Sequence, residues 1–347
     1  DPALLTARLA RTRALLGDPW GAAQAWEALV ARGPAAPEYH EAVRELEAHH
    51  HRSGDARALA ADLVRRAGAA DSPGERARLW LEAAQALERG GAEPPEVQAA
   101  LEQACEADPD EAAPWRAVAA HEGRRGDSIA AARAHLAVAI RTEGEEAARA
   151  ALEAARIFES IGRPGDAARA YSAVLHPRPG SWRARRALAA RALDKGDPAG
   201  AAEHLAAVDP MDVPPADELE YLRSRAHALS AAAREPEALE AWREVFQADP
   251  GDEEAFDHLA PAARASGRAE PWLELAARHD AALAASGHAA RRCDLRCQRA
   301  RLFEEMGRLE AAEGAWRAAL EIDPDFEPAR EALAALAGRA ADWAAFA

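Results

Sequence analysis

An all-α protein built as a tandem array of helical hairpins is the fold class that this sequence predicts, and three observations carry the prediction. The first is composition. Only five Ile and three Thr occur in 347 residues, which leaves little β-branched material for sheets. The second is a comb of glycines that read as helix breakers: Gly17, Gly54, Gly91, Gly126, Gly162, Gly196, Gly267 and Gly307, spaced by 37, 37, 35, 36, 34, 71 and 40 residues. The 71 is two periods with one glycine missing, near Ala233 and Arg234. The third is an out-of-phase comb of prolines that close segments, at Pro34, Pro73, Pro109, Pro177, Pro210, Pro250 and Pro324. Self-similarity at such a period marks a repeat architecture.

Each marker has a mechanism. Glycine tolerates the left-handed conformation that ends a helix, and the Asp that follows in Gly17-Asp18, Gly54-Asp55, Gly126-Asp127 and Gly196-Asp197 can cap the next one. Proline cannot donate to the helical ladder and constrains the residue before it. Between the markers, apolar residues recur at helical spacing, as in Leu239-Trp242-Val245-Phe246 and Leu309-Ala312-Trp316-Ala319-Leu320. Each period is therefore a helix, a turn and a helix. The units fall at approximately 3–36, 40–73, 77–109, 112–143, 148–179, 182–213, 219–250, 253–287 and 293–324, with 325–347 as a terminal helix and the start of a further unit. One array over 1–347 is expected, as a segment of a longer protein or with its ends covered by partners, because no markedly polar helix closes it. Asp1-Pro2 reads as the tail of a preceding repeat, and 342–346 as the start of another helix. Local departures are expected too. The turns at Gly91 and Gly162 read as lengthened, Pro261 should kink or shorten its helix, and 289–306 reads as an unusually long helix.

The residues at these positions resemble the tetratricopeptide repeat, with its W-x2-L-G-x2-Y…A…F…A…P pattern. Trp115, Val118, Ala119, Gly126 and Ala131 match in one unit, and Leu222, Ala226, Leu229, Ala238, Trp242, Val245 and Pro250 in another. Ala300, Phe303, Gly307, Ala312, Trp316, Ala319 and Pro324 match in the ninth, and Gly17, Ala22, Trp26, Leu29 and Pro34 in the first. The resemblance implies a right-handed superhelical solenoid of about nine repeats. It also implies a small residue at the eighth position, where the helices of a hairpin meet, and a bulky one at the twenty-fourth, between neighbouring repeats. The unit around Gly54 departs from this, with Glu47 at the small position and no aromatic in its second helix.

Charge narrows the function. Lys+Arg 43 against Asp+Glu 59 gives a net charge of -16, which repels phosphate backbones and anionic membranes. A one-base-per-repeat nucleic-acid reader is further disfavoured because the chain has no asparagine. Lys195 is the only lysine, a bias of high-GC coding rather than of function. The three cysteines, Cys105, Cys293 and Cys297, do not make a disulfide framework. A cytoplasmic location is expected, the alternative being periplasmic or secreted if a signal peptide was removed. No cofactor, nucleic acid or membrane is expected among the ligands.

Chemistry is sparse. His49-His50-His51 are consecutive on a helix and point about 100° apart, so they cannot share one ion, and the expectation is a solvated helix end. Cys293 and Cys297 share a helical face with His288 upstream, which fits a metal or redox pair less well than small apolar groups in a hairpin. No phosphate-binding glycine loop, H-E-x-x-H or G-x-S-x-G is present, so no enzyme is expected. The resemblance implies instead that the first helix of each repeat lines a concave groove through its second, fifth, sixth, ninth and twelfth positions. The fifth position is Arg44, Arg116, Arg186 and Arg223 in four repeats, and Arg156, Arg183 and Arg301 fall nearby, as do Arg8, Arg11, Arg78 and Arg149. Such a ladder would bind an acidic peptide or helix through bidentate pairs, although Glu41, Glu45, Glu82, Glu153, Glu220 and Glu254 line the same face. The expected function is a non-catalytic interaction scaffold, with end-to-end self-association through the open ends as an added expectation. The alternative is a regulatory arm of a larger protein whose catalytic part lies outside this segment.

Overall fold

The computed structural model describes residues 2–36, 38–266, 268–284 and 287–346, with side chains through 338. These residues form helices and turns with no strand among them. The first hairpins are α1 (Pro2–Leu15) with α2 (Pro19–Val30), α3 (Tyr39–Ser53) with α4 (Ala56–Ala69), and α5 (Pro73–Arg89) with α6 (Pro94–Ala107). They are followed by α7 (Ala112–Arg125) with α8 (Ser128–Arg141), and α9 (Gly144–Ser160) with α10 (Pro164–Val174). Next come α11 (Trp182–Asp194) with α12 (Pro198–Ala206), α13 (Glu218–Ala231) with α14 (Glu235–Ala248), and α15 (Glu253–Ala265) with α16 (Glu270–Leu283). Helices α17 (Ala289–Glu305), α18 (Leu309–Ile322) and α19 (Glu327–Phe346) complete the order. The chain divides into two compact units between Ala184 and Arg185, within α11. No helix among the described residues is long and apolar enough to cross a membrane.

The turns follow from the two combs. Gly17, Gly54, Gly91, Gly126, Gly162, Gly196 and Gly307 all hold φ between 66° and 81°, where a side chain would clash with its own backbone. Gly267 lies outside the described residues. At the place of the missing glycine, Ala233 is forced into the same region at φ 55°. Asp18, Asp55, Asp127 and Asp197 cap the second helices, each accepting the backbone N–H three residues on at 2.8–3.0 Å. Pro73 departs from expectation. It opens α5 behind the Ser72 cap instead of closing α4, because a first helical position has no hydrogen bond for proline to forfeit.

Other departures are smaller. The Gly91 turn is lengthened, with residues 90–93 between its helices, but the Gly162 turn has the three-residue length of the Gly17 turn. Helix α17 is 17 residues long, as are α5 and α9, so it is not unusual. Helix α15 runs through Pro261 to Ala265, a full 13 residues.

Packing puts small residues where helices of a hairpin meet. Ala10, Ala84, Ala119, Ala155, Ala189, Ala226 and Ala300 are at most 3% exposed. Bulky residues then wedge between successive hairpins. Trp26 packs with Ala7 and Ala10 of α1 and Ala42 and Leu46 of α3. Trp316 packs with Cys297 and Ala300 of α17, and Ala329 of α19 joins the same cluster. Tyr171 and Trp242 are equally buried at the corresponding places. Each wedge touches its own hairpin and the next, the nearest-neighbour coupling expected of stacked repeats.

The second hairpin solves the same problem with charge. Glu47, at the small position, pairs with Arg66 across the hairpin. Asp62 has no exposed side-chain surface and meets His50 Nδ1 at 2.6 Å and Arg65 at 2.5 Å. In four other second helices the equivalent residue is a buried alanine: Ala25, Ala134, Ala170 and Ala241. Burial holds the Asp62 carboxyl above its usual range, with His50 and Arg65 opposing the shift.

Trp316→Ala should cost about 3–5 kcal/mol, read as a lowered urea midpoint. Ala233→Gly should raise stability by about 1 kcal/mol, since the left-handed region costs a non-glycine residue roughly 1–2 kcal/mol; a lowered melting temperature would contradict the strained turn. His50→Ala removes an interaction that favours ionised Asp62. The raised carboxyl pKa means that the penalty of its charge is present above that pKa and is relieved as pH falls through it. The His50→Ala variant should therefore lose most stability near neutral pH and regain part of the deficit in mild acid, measured by urea midpoints at about pH 7 and about pH 5.

Candidate functional site

The arginines expected to face a partner lie on the first helices, and several already have partners within the chain. In the first unit Arg11 of α1 reaches Glu41 of α3, and Arg116 of α7 meets Glu146 of α9 at 2.5 Å. In the second, Arg186 of α11 meets Glu220 of α13 at 2.6 Å, and Arg223 of α13 meets Asp252, the cap of α15, at 2.5 Å. These pairs join first helices of successive hairpins. Their carboxylates lie 29 to 34 residues downstream, one repeat along. The hydrogen bond from Arg11 holds the Glu41 carboxyl below its usual range. Exposed pairs of this kind contribute little to stability. They leave the face patterned in both signs.

The remaining candidates differ. Arg156 pairs with Glu153 one turn away on α9 at 2.5 Å. Arg183 is exposed, and its field adds to that of Arg156 in lowering the Glu153 carboxyl. Arg44 is exposed and donates to the carbonyl of His40 on its own helix at 3.3 Å. Arg8 is exposed, and Arg78 and Arg149 pair with Glu82 and Glu145 on their own helices.

Arg301 is placed otherwise. It lines a cleft of about 530 Å³ walled by α15, α16 and α17, together with Arg264, Arg268, Trp272, Gln298 and Glu305. The Arg264 guanidinium lies 4.7 Å from the Trp272 ring centroid and donates to Gln298 Oε1 at 2.5 Å. That stacking fixes one guanidinium over an indole that is 1% exposed. Arg268 reaches Glu270 only at 4.0 Å, and Arg301 makes no ion pair among the described residues. The cleft was missed although its signal was in the sequence. Arg264, Gln298 and Arg301 occupy the twelfth, sixth and ninth positions of their units, the positions assigned to the binding face.

The other candidates are structural. His49 is buried and His50 is committed to Asp62, whereas His51 through Gly54 are exposed, so the solvated helix end that was expected begins only at His51. No cluster of three or more His, Cys, Asp or Glu among the described residues is placed to hold a metal. Cys293 and Cys297 are buried; desolvation pushes both thiols up, Cys297 to about 11, away from the thiolate that redox or metal chemistry needs. His288 faces Glu253 instead, at 3.3 Å.

No protein-family model and no curated protein matches the chain. Solved structures do. MamA is similar at 16% identity and a TM-score of 0.35, over 50% of this chain and 90% of that one. The C-terminal part of a TPR repeat-containing protein from Cytophaga hutchinsonii is similar at 13% identity and a TM-score of 0.41, over 72% and 98%. YrrB, a TPR protein with an unusual peptide-binding site, is similar at 16% identity and a TM-score of 0.35, over 67% and 96%. The glycine-capped turns, the buried small residues and the aromatic wedges of its own hairpins make this chain a tandem array of helical hairpins, similar in fold to the tetratricopeptide repeat.

Proposed function

We propose that this chain is a non-catalytic scaffold that holds an acidic segment of a partner protein, with the α15–α17 cleft as its anchor. The observation that carries the reading is the convergence of Arg264, Arg268 and Arg301 on one cleft in a chain of net charge -16. All three side chains belong to exposed residues. A partner carboxylate would meet the Arg264 guanidinium, held in place by Trp272 and Gln298, which lowers the ordering cost of binding. Along the ladder, by contrast, an acidic partner must displace Glu146, Glu220 or Asp252 before it can engage Arg116, Arg186 or Arg223. The ladder therefore serves as a secondary surface where partner carboxylates exchange with the chain's own.

Fluorescence anisotropy with a dye-labelled peptide rich in Glu and Asp tests this directly. Arg264→Glu with Arg301→Glu should weaken binding by about tenfold or more, since two ion pairs become two repulsions. Arg116→Glu with Arg186→Glu should weaken it less. Unchanged affinity in the cleft variant, with helicity intact by circular dichroism, would overturn the assignment.

A further inference from the structure

A second cleft, in the first unit, has the opposite character. It measures about 490 Å³ between α6, α7 and α8, and its wall is largely apolar: Leu101, Cys105, Trp115 and Val118, with Pro109 at the edge. The hairpins on either side of it lack the aromatic wedge. Where Trp26, Tyr171, Trp242 and Trp316 fill the space beside their hairpins, the third hairpin offers Ala100 and Leu101 and the fourth His135. A smaller hollow of about 200 Å³ lies against Leu101 as well, walled by α5, α6 and α7. Packed interiors do not leave such apolar space.

The rim is acidic. Glu102 and Glu106 lie one turn apart on α6, both exposed. Glu102 accepts from Gln98 at 2.9 Å and Glu106 from Gln103 at 2.8 Å, amide donors that bring no charge. No ion pair among the described residues involves either carboxylate. The third acid of the cleft, Glu122, is already matched by Arg125 at 3.0 Å. The nearby Arg141 is spent on the Pro109 carbonyl and on the Trp115 ring, 4.8 Å from its centroid. Like charges at this helical spacing repel, and a cation placed between them relieves the repulsion. The Trp115 indole N–H is buried with no acceptor.

We propose that this cleft docks a basic amphipathic segment of a partner protein, with an apolar side chain seated on Leu101, Trp115 and Val118 and Lys or Arg paired to Glu102 and Glu106. The occupant is set by charge complementarity. An apolar floor accepts a bulky aliphatic or aromatic anchor, and the two uncompensated carboxylates select cations beside it. The mode is that of an amphipathic helix laid into a groove. It does not depend on the arginine cleft of the second unit, and it takes a ligand of opposite sign.

The probe is a dye-labelled peptide about four helical turns long with leucines on one face and lysines on the other, compared with a scrambled peptide of the same composition. Glu102→Gln with Glu106→Gln should weaken binding by about tenfold, the worth of two surface ion pairs. Ala130→Leu, which adds bulk to the cleft wall without changing charge, should weaken it at least as much. Glu203→Gln with Glu240→Gln, an equal charge change at exposed residues that do not line the cleft, should leave affinity within about twofold. Equal weakening by that control pair, equal binding of the scrambled peptide, or no response to either cleft variant would overturn the proposal. Should Ala130→Leu lose helicity, the two glutamine variants decide the matter alone. Arg264→Glu with Arg301→Glu should leave this binding intact, so failure of one cleft is distinguishable from failure of the other.

Discussion

Every hairpin in this chain buries its apolar face only against its neighbours, so the groove between successive hairpins must be filled from one side or the other. Where an aromatic residue projects into that groove, as at Trp26 or Trp316, its ring is buried among residues of its own hairpin and of the next helix. The third and eighth hairpins have small, buried residues at the corresponding position, Ala100 and Ala276, and each of these hairpins contributes other residues to a cleft, Leu101 and Cys105 of α6 in one and Trp272 of α16 in the other.

Charge works on a separate face. The pairs from Arg11, Arg116, Arg186 and Arg223 run from one first helix to the next. Their individual worth is small, but each is satisfied only when consecutive hairpins are in one rotational setting. They act as register marks beside the hydrophobic contacts that supply most of the stability. An acidic chain with almost no lysine achieves this with guanidinium groups, whose planar donors match a carboxylate in a fixed geometry.

Much of the architecture was legible because its determinants are local. Glycine with positive φ, aspartate at a helix cap and alanine between two helices act over a few residues, and their positions in the sequence are their positions in the fold. Pro73 was misread because a proline after a helix and a proline at the first turn of the next look alike without the intervening cap. The site was less legible. Fifth-position arginines can be picked out from the repeat pattern, but whether Arg116 faces solvent or Glu146 depends on a residue one repeat away. His50 presented the same difficulty, because its partner Asp62 lies on another helix and occupies a position that is alanine in most of the other hairpins.

The second hairpin has a further consequence, for how such an array can change over generations. Tandem repeats lengthen and shorten by unequal recombination, which works smoothly only if helices are interchangeable. Helix α4 is not: set beside any partner other than α3, it would bring a carboxylate into the hairpin without His50 to receive it, and Glu47 would lose Arg66. The two helices must be inherited together, which makes this hairpin a fixed landmark in a sequence otherwise built for shuffling.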